Sequence, residues 1–385
     1  MKKMILLTLS HLLVAVLAAV LATFLALQLT PSSAGVSKLD QLESLIVERF
    51  IGGADRTAIE DAAADAMVHA LGDRWSYYIP ASEYATYLEQ MQNAYVGVGI
   101  TIQADPEGRG FLVLDVTEGG PAEAAGVLAN DILTAVEGTS VADMDMDATR
   151  DMVRGKEGTF VRMTFLRDGE ELTFSIERHR IQTAVAKWQM LEGHVGLVKI
   201  VNFDKRCAKE TLQGIKELLD QGADALIFDV RGNPGGYASE MVKVLDYLLP
   251  AGDLFRTVDY AGKETLDRSD ADFLDIPMVV IVNGESYSAA EFFAQALREY
   301  DAALVVGEKT CGKGYFQYTY ELSDGSAVGL SVGKYFTPKG LSLAEVGVTP
   351  DVEIPMDPEL WAQVYYGHVD PMDDPHILAA LDLLP

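Results

Sequence analysis

Apolar and polar positions divide this chain into stretches of different kinds. Lys2 and Lys3 precede a run from Met4 to Leu29 that is broken only by Thr8, Ser10, His11, Thr23 and Gln28. Its cleaner part, Leu12 to Leu29, carries no charge and is about long enough to cross a bilayer as a helix. The lysines then stay cytoplasmic, and everything after Thr30 lies outside. A cleaved signal peptide is the competing reading, because Pro31-Ser32-Ser33-Ala34-Gly35 supplies small residues. The run is long for a signal h-region, which favours an uncleaved anchor over residues 1–30.

Residues 31–92 read as a helical region. Leu39, Leu42, Leu45 and Ile46 recur at helical spacing, Ala58 to Leu71 repeats the pattern, and Ser82 is a candidate cap for a third helix. From Tyr95 the period shortens to that of strands. Val96 to Ile102 and Gly110 to Leu114 alternate or run apolar. A short helix follows, Pro121 to Val127, closed by Gly126. Then come a strand from Asp131 to Gly138, a helix from Asp145 to Arg154, and two strands about the turn Asp168-Gly169.

Beyond residue 179 buried strands alternate with helices. Val195 to Ile200 leads to a helix over 209–221, and Ala223 to Val230 leads through Gly232-Asn233-Pro234-Gly235-Gly236 to a helix over 237–249. Ile276 to Val282 again breaks into a turn and a helix. Such repeated units predict parallel strands covered by helices. The tail, 356–385, ends in a short predicted helix from His376 to Leu384.

Composition excludes more than it assigns. Lys plus Arg is 30 against 58 for Asp plus Glu, a net charge of −28, which opposes nucleic-acid binding. The six histidines show no metal-ligand spacing, so no metal or organic cofactor is implied. Cys207 and Cys311 are distant in sequence and are read as free thiols.

Two segments carry candidate chemistry. In Asn283-Gly284-Glu285-Ser286-Tyr287-Ser288-Ala289-Ala290-Glu291 a buried strand ends and an apolar-striped helix begins, placing Ser288 at the helix N-terminus. Free amides and the positive dipole end favour developing negative charge there, although most serines so placed are only caps. In the second segment, Lys313 lies between Gly312 and Gly314, which permit tight turns and close backbone approach. The run from Gly307 to Lys313 also mimics a phosphate-binding loop. Gly314 stands where that motif needs Ser or Thr, and Tyr315 to Leu322 alternates like a strand, so nucleotide binding is rejected.

The segment 93–178 resembles a bacterial PDZ domain, with Asn130-Asp131 at its turn and Tyr95-Val96-Gly97-Val98-Gly99 where such domains offer amides to a peptide's terminal carboxylate. The bland alternative is that these glycines serve turns and packing alone. Taken with Asp229 to Gly236, Ser286 to Glu291, Gly312 to Gln317 and Gly347-Val348-Thr349-Pro350-Asp351, the chain resembles the carboxy-terminal processing peptidases, PDZ-containing serine peptidases of the S41 type. That resemblance implies a multidomain α/β protein: an N-terminal transmembrane helix, a helical segment, a β-rich PDZ domain, and an α/β spiral peptidase core of the crotonase/ClpP-like kind over 179–355.

The resemblance further implies Ser288 as nucleophile, Lys313 as base 25 residues on, and Gln317 as a support for the lysine. The oxyanion hole would be the amide of Ala289 and one from the turn at Gly235 and Gly236. Tyr287 departs from the pattern, which usually has alanine there. A lysine acts as base only as the neutral amine, so it must be buried without a carboxylate partner. Glu291 is accordingly expected to face away and to serve structure. The implied partners are the C-terminal tails of protein or peptide substrates outside the cytoplasm, the membrane through the N-terminal helix, and a second copy of the chain. A catalytically silent PDZ scaffold and an acyl-thioester enzyme on a similar fold are the alternatives.

Overall fold

The computed structural model describes residues 37–385 apart from Glu118. The run over 4–29, read above as anchor or signal, lies outside the described residues. No described helix is long and apolar enough to cross a membrane. The chain divides into two compact units, with Gly72 closing the first and Asp73 opening the second.

In the first unit two helices, Lys38–Arg49 and Arg56–His69, begin on side-chain caps. The Ser37 hydroxyl accepts from the Asp40 amide at 3.1 Å while the Asp40 carboxylate takes the Ser37 amide at 3.0 Å. Each bond satisfies an amide that the helix start would leave without a partner.

The second unit is built on a six-stranded sheet in the order Ala186–Met190, Val195–Ile200, Ala225–Asp229, Met278–Val282, Ala303–Gly307, Val352–Glu353. The first pair is antiparallel and the others are parallel. Continuous apolar runs suit strands covered on both faces. Leu226, Phe228, Val280 and Val282 pack with helices Cys207–Asp220, Ala238–Leu248 and Ala289–Glu299. Ile227, Val279 and Ile281 turn the other way, onto Ile377 and Ala380 of the helix Pro375–Asp382. A second, antiparallel sheet joins Tyr77–Ile79, Ala327–Phe336, Gly252–Asp259 and Glu264–Ser269, with Tyr315–Glu321 also paired to Ala327–Phe336.

A separate core lies within residues 98–176. Its six-stranded sheet runs Ile100–Ala104, Phe111–Val116, Ile132–Val136, Phe160–Arg167, Glu170–Glu177, with Thr139–Ser140 also paired to Ile132–Val136, and Ile100–Ala104 lies at an edge. Helices Pro121–Ala125 and Met146–Val153 accompany it, the first ending on Gly126 at φ 95°. A two-stranded stem, Ala94–Gly97 against His179–Gln182, leads in and out.

The helical reading of 31–92 fails at Tyr77-Tyr78-Ile79, a strand on Ala327–Gly329 favoured by its aromatic and β-branched side chains. The helix Ala81–Gln90 starts after Pro80 without a side-chain cap, so Ser82 is not its cap. The apolar run from Val96 to Ile102 is two strands, broken where Gly99 takes φ 79°. The tail contains a further helix, Pro358–Tyr365, capped by Asp357.

Candidate active site

The turn after Met278–Val282 is stitched to the turn after Ala225–Asp229. The Gly232 amide donates to Asn283 Oδ1 at 3.0 Å, and the Tyr287 amide to the Asn233 carbonyl at 3.1 Å. Ser286 is fully buried, and its hydroxyl donates to the Val230 carbonyl at 2.7 Å. It is a structural serine, committed to holding these two turns together.

Ser288 differs in every respect. It holds φ 59°, ψ −125°, a region that costs a non-glycine residue about 1–3 kcal/mol and persists only where the surroundings enforce it. Its hydroxyl is turned to the Tyr335 hydroxyl at 2.8 Å, and Tyr335 is buried among Phe255, Phe292 and Phe316. Burial pushes the Tyr335 phenol up, so it stays protonated.

Two amides of these turns are without acceptors among the described residues. Among the described residues, neither the Ala289 nor the Gly236 amide enters a hydrogen bond, whereas the Gly235 amide donates to Asn233 Oδ1 at 2.8 Å. Gly235 has φ 88°, and a Cβ there would lie 2.7 Å from Ser288 Cβ and 3.0 Å from the Ala289 amide. Only glycine fits against the serine at that distance.

Lys313 follows Gly312, at φ 85°, and precedes Gly314, where a Cβ would meet the Ala344 amide at 2.3 Å. Burial drives its amine down to about 8, against the upward pull of Cys311, Asp73 and Glu291. Its Nζ lies 4.8 Å from the centre of the Trp75 ring and 5.8 Å from that of Tyr287. No hydrogen bond joins Lys313 to Ser288 in this arrangement.

Glu291 does not face away. It is fully buried, and its Oε2 accepts from the amides of Ser288 at 2.9 Å and Lys313 at 2.8 Å. Its Oε1 accepts from the Thr310 hydroxyl at 2.5 Å and the Gly312 amide at 2.7 Å. Burial pushes the carboxyl up, opposed by these four donors. The capping-box spacing of Ser288 and Glu291 is the sequence signal for this inward turn.

Gln317 makes no hydrogen bond to Lys313. A register shift between Phe316 and Gln317 sets it opposite Ser331, and its Nε2 donates to Ser331 Oγ at 3.0 Å and the Tyr315 carbonyl at 3.1 Å. Beneath the site Arg231, 2% exposed, pairs with Asp229 at 2.8 Å and with Asp374 at 2.8 Å. Burial alone would raise Asp229, yet the guanidinium outweighs it and holds the carboxyl below its ordinary range.

Of the loop from Tyr95 to Gly99, Tyr95, Val96 and Gly97 belong to the stem. Val98 and Gly99 remain as the loop beside the edge strand, and among the described residues their amides have no backbone acceptor. Trp75 and Tyr335, the other residues drawn to the site, left no motif in the sequence.

The profile of peptidase family S41 matches residues 194–354, and that of the PDZ domain matches 112–167. The carboxy-terminal processing protease CtpA of Bacillus subtilis is 31% identical over 328 residues, which span 84% of this chain and 70% of that protein. The chain belongs to peptidase family S41. It is therefore a serine-type peptidase with a PDZ domain. A probable CtpA-like serine protease of Staphylococcus aureus is 30% identical over 325 residues, 83% of this chain and 65% of that protein. A solved photosystem II D1 C-terminal processing protease is 29% identical, with 82% of this chain and 86% of that one aligned at a TM-score of 0.49.

Proposed function

We propose that this chain is a serine endopeptidase in which Ser288 is the nucleophile and Lys313 its general base, acting near the C-termini of extracytoplasmic proteins. The observation that carries the reading is the anchoring of both residues on Glu291, with a desolvated amine on one side and two free amides on the other. The Ser288 side chain turns from Tyr335 to Lys313, whose neutral amine takes the hydroxyl proton as Oγ attacks the peptide carbonyl carbon. The Ala289 and Gly236 amides receive the oxyanion. Collapse breaks the C–N bond, and the leaving amine takes the proton from the Lys313 ammonium. Water, activated by the same amine, then hydrolyses the acyl-enzyme. Gln317 acts through the Tyr315 carbonyl, holding the strand that leaves the lysine loop.

The PDZ domain supplies the tail preference in this reading. An extended peptide adds to the edge strand Ile100–Ala104 and places its terminal carboxylate on the Val98 and Gly99 amides. The charge pattern of residues 1–30 supports a single membrane-spanning anchor with the peptidase outside the cytoplasm. Leu42, Leu45 and Phe50 are exposed on the helical unit, an apolar surface suited to a second copy.

The reading is tested by incubating the full chain with an unstructured protein and with peptides of varied C-terminus, in EDTA, and following cleavage by mass spectrometry. Cleavage is expected from the parent and lost in both Ser288→Ala and Lys313→Ala. Cleavage that survives Ser288→Ala refutes the assignment.

A further inference from the structure

The amine of Lys313 sits over two aromatic rings, those of Trp75 and Tyr287, whose centres are 6.0 Å apart at an inclination of 33°. Both rings are held from outside the lysine loop. The Trp75 amide donates to Asp73 Oδ1 at 3.1 Å, the Ser76 hydroxyl donates to Asp73 Oδ2 at 2.6 Å, and the Ser331 amide donates to Ser76 Oγ at 3.1 Å. The strand Tyr77–Ile79 then fastens this strap to Ala327–Gly329. Tyr287 is fixed by its own amide on the Asn233 carbonyl. The strap lies outside the segment matched by the S41 profile.

We propose that Trp75 and Tyr287 form an aromatic clamp that positions the Lys313 side chain and keeps water from its amine. The proposal rests on the reading of Lys313 as general base. Two effects of the rings oppose one another. A ring face attracts the ammonium, which favours the charged form, while excluding water disfavours it. The amine is held at about 8 with burial as the largest cause, the direction that exclusion of water produces. The charged and titratable groups around it are Asp73 on the strap, Glu291 on the helix Ala289–Glu299, Cys311 on its own loop, and Arg74, whose guanidinium lies 4.3 Å from the Trp75 ring centre. None of the three groups that pull the amine upward, Cys311, Asp73 and Glu291, is removed by changing the rings, so a change in the amine reports the clamp. Trp75 and Tyr287 are positioning residues, acting on the reaction through the lysine.

The test is trace acetylation of Lys313 by acetic anhydride across pH, read by mass spectrometry on the full chain carrying Ser288→Ala. The labelling midpoint is expected at about 8 in this parent. It should rise towards the ordinary lysine value of 10.5 in Trp75→Ala, rise less in Tyr287→Ala, and stay in place in Trp75→Phe. With Ser288 restored, kcat/KM at pH 7 should fall about tenfold for each pH unit that the midpoint rises, and recover at high pH. A midpoint near 10.5 in the parent overturns the clamp, as does a midpoint unmoved in Tyr287→Ala and Trp75→Ala. Should Trp75→Ala fail to give a cooperative melt, the response of Tyr287→Ala decides alone. Labelling does not depend on cleavage, so failure of the peptidase reading and failure of the clamp are separate results.

Discussion

Ser288 and Lys313 donate their backbone amides to the same oxygen of Glu291, at 2.9 and 2.8 Å. One carboxylate therefore fixes the distance between two loops that end different strands of the sheet. It does so through backbone amides and makes no hydrogen bond to the lysine amine, although its charge still pulls that amine upward against burial.

Glu291→Ala is expected to remove most cleavage and to destabilise the fold, because it strands three backbone amides that each cost about 1–3 kcal/mol when buried without a partner. Glu291→Gln should be little better, since its NH2 group faces donors. Thermal melting and kcat measured together check this. A variant with parental kcat would show that the carboxylate does not set the spacing.

Burial of the Lys313 amine, which its proposed role as base requires, costs the fold stability. Its folded value, about 8, lies below the ordinary 10.5, so at any pH below 8 folding works against the ammonium. Lys313→Met should therefore raise stability by about 1–3 kcal/mol at pH 6–7, with the gain shrinking as pH rises from 8 towards 10.5. For the same reason kcat/KM of the parent should climb through about pH 8, since only about one lysine in ten is neutral at pH 7. Chemical denaturation at pH 6.5 and pH 10.5 is the check, and an equal difference at both pH values would contradict it.

The stem of the PDZ domain reaches the turn at Gly235 and Gly236 by a short route. Asn93, at φ 46°, exchanges two 2.7 Å amide hydrogen bonds with Asn202 and donates to Asp204 at 3.1 Å. Between them Phe203 donates to the Gly235 carbonyl at 2.7 Å and accepts from the Tyr237 amide at 2.6 Å. If tail capture moves the stem, the turn carrying the Gly236 amide moves with it. A PDZ-binding peptide is then expected to change kcat on a short internal substrate, and Asn202→Ala to abolish that change while leaving KM for that substrate alone. A response equal to the parent's would place the coupling elsewhere.

Much of this architecture was legible in the chain itself. Met278–Val282 and Ala225–Asp229 are continuous apolar runs between glycine turns, and such runs have few alternatives to buried parallel strands. The separation of Ser288 and Lys313 was legible through the motifs around them. Contacts made at long range were not. Tyr77–Ile79 is three residues long and finds its partner some 250 positions later, so no local pattern announces it. Asp357-Pro358 does announce a helix, as a cap followed by proline at the first turn. Glu291 was expected to turn outward because a carboxylate near the lysine would keep it charged. The carboxylate is instead saturated by backbone amides and a threonine, and makes no hydrogen bond to the side-chain amine.

The most direct test of the central claim is labelling by a serine-reactive phosphonylating probe, with the adduct located by peptide mass spectrometry. The account predicts a single adduct on Ser288, absent in Ser288→Ala and formed at least about 100-fold more slowly in Lys313→Ala. An adduct on another residue, or labelling of Ser288 at the parental rate without Lys313, would contradict it.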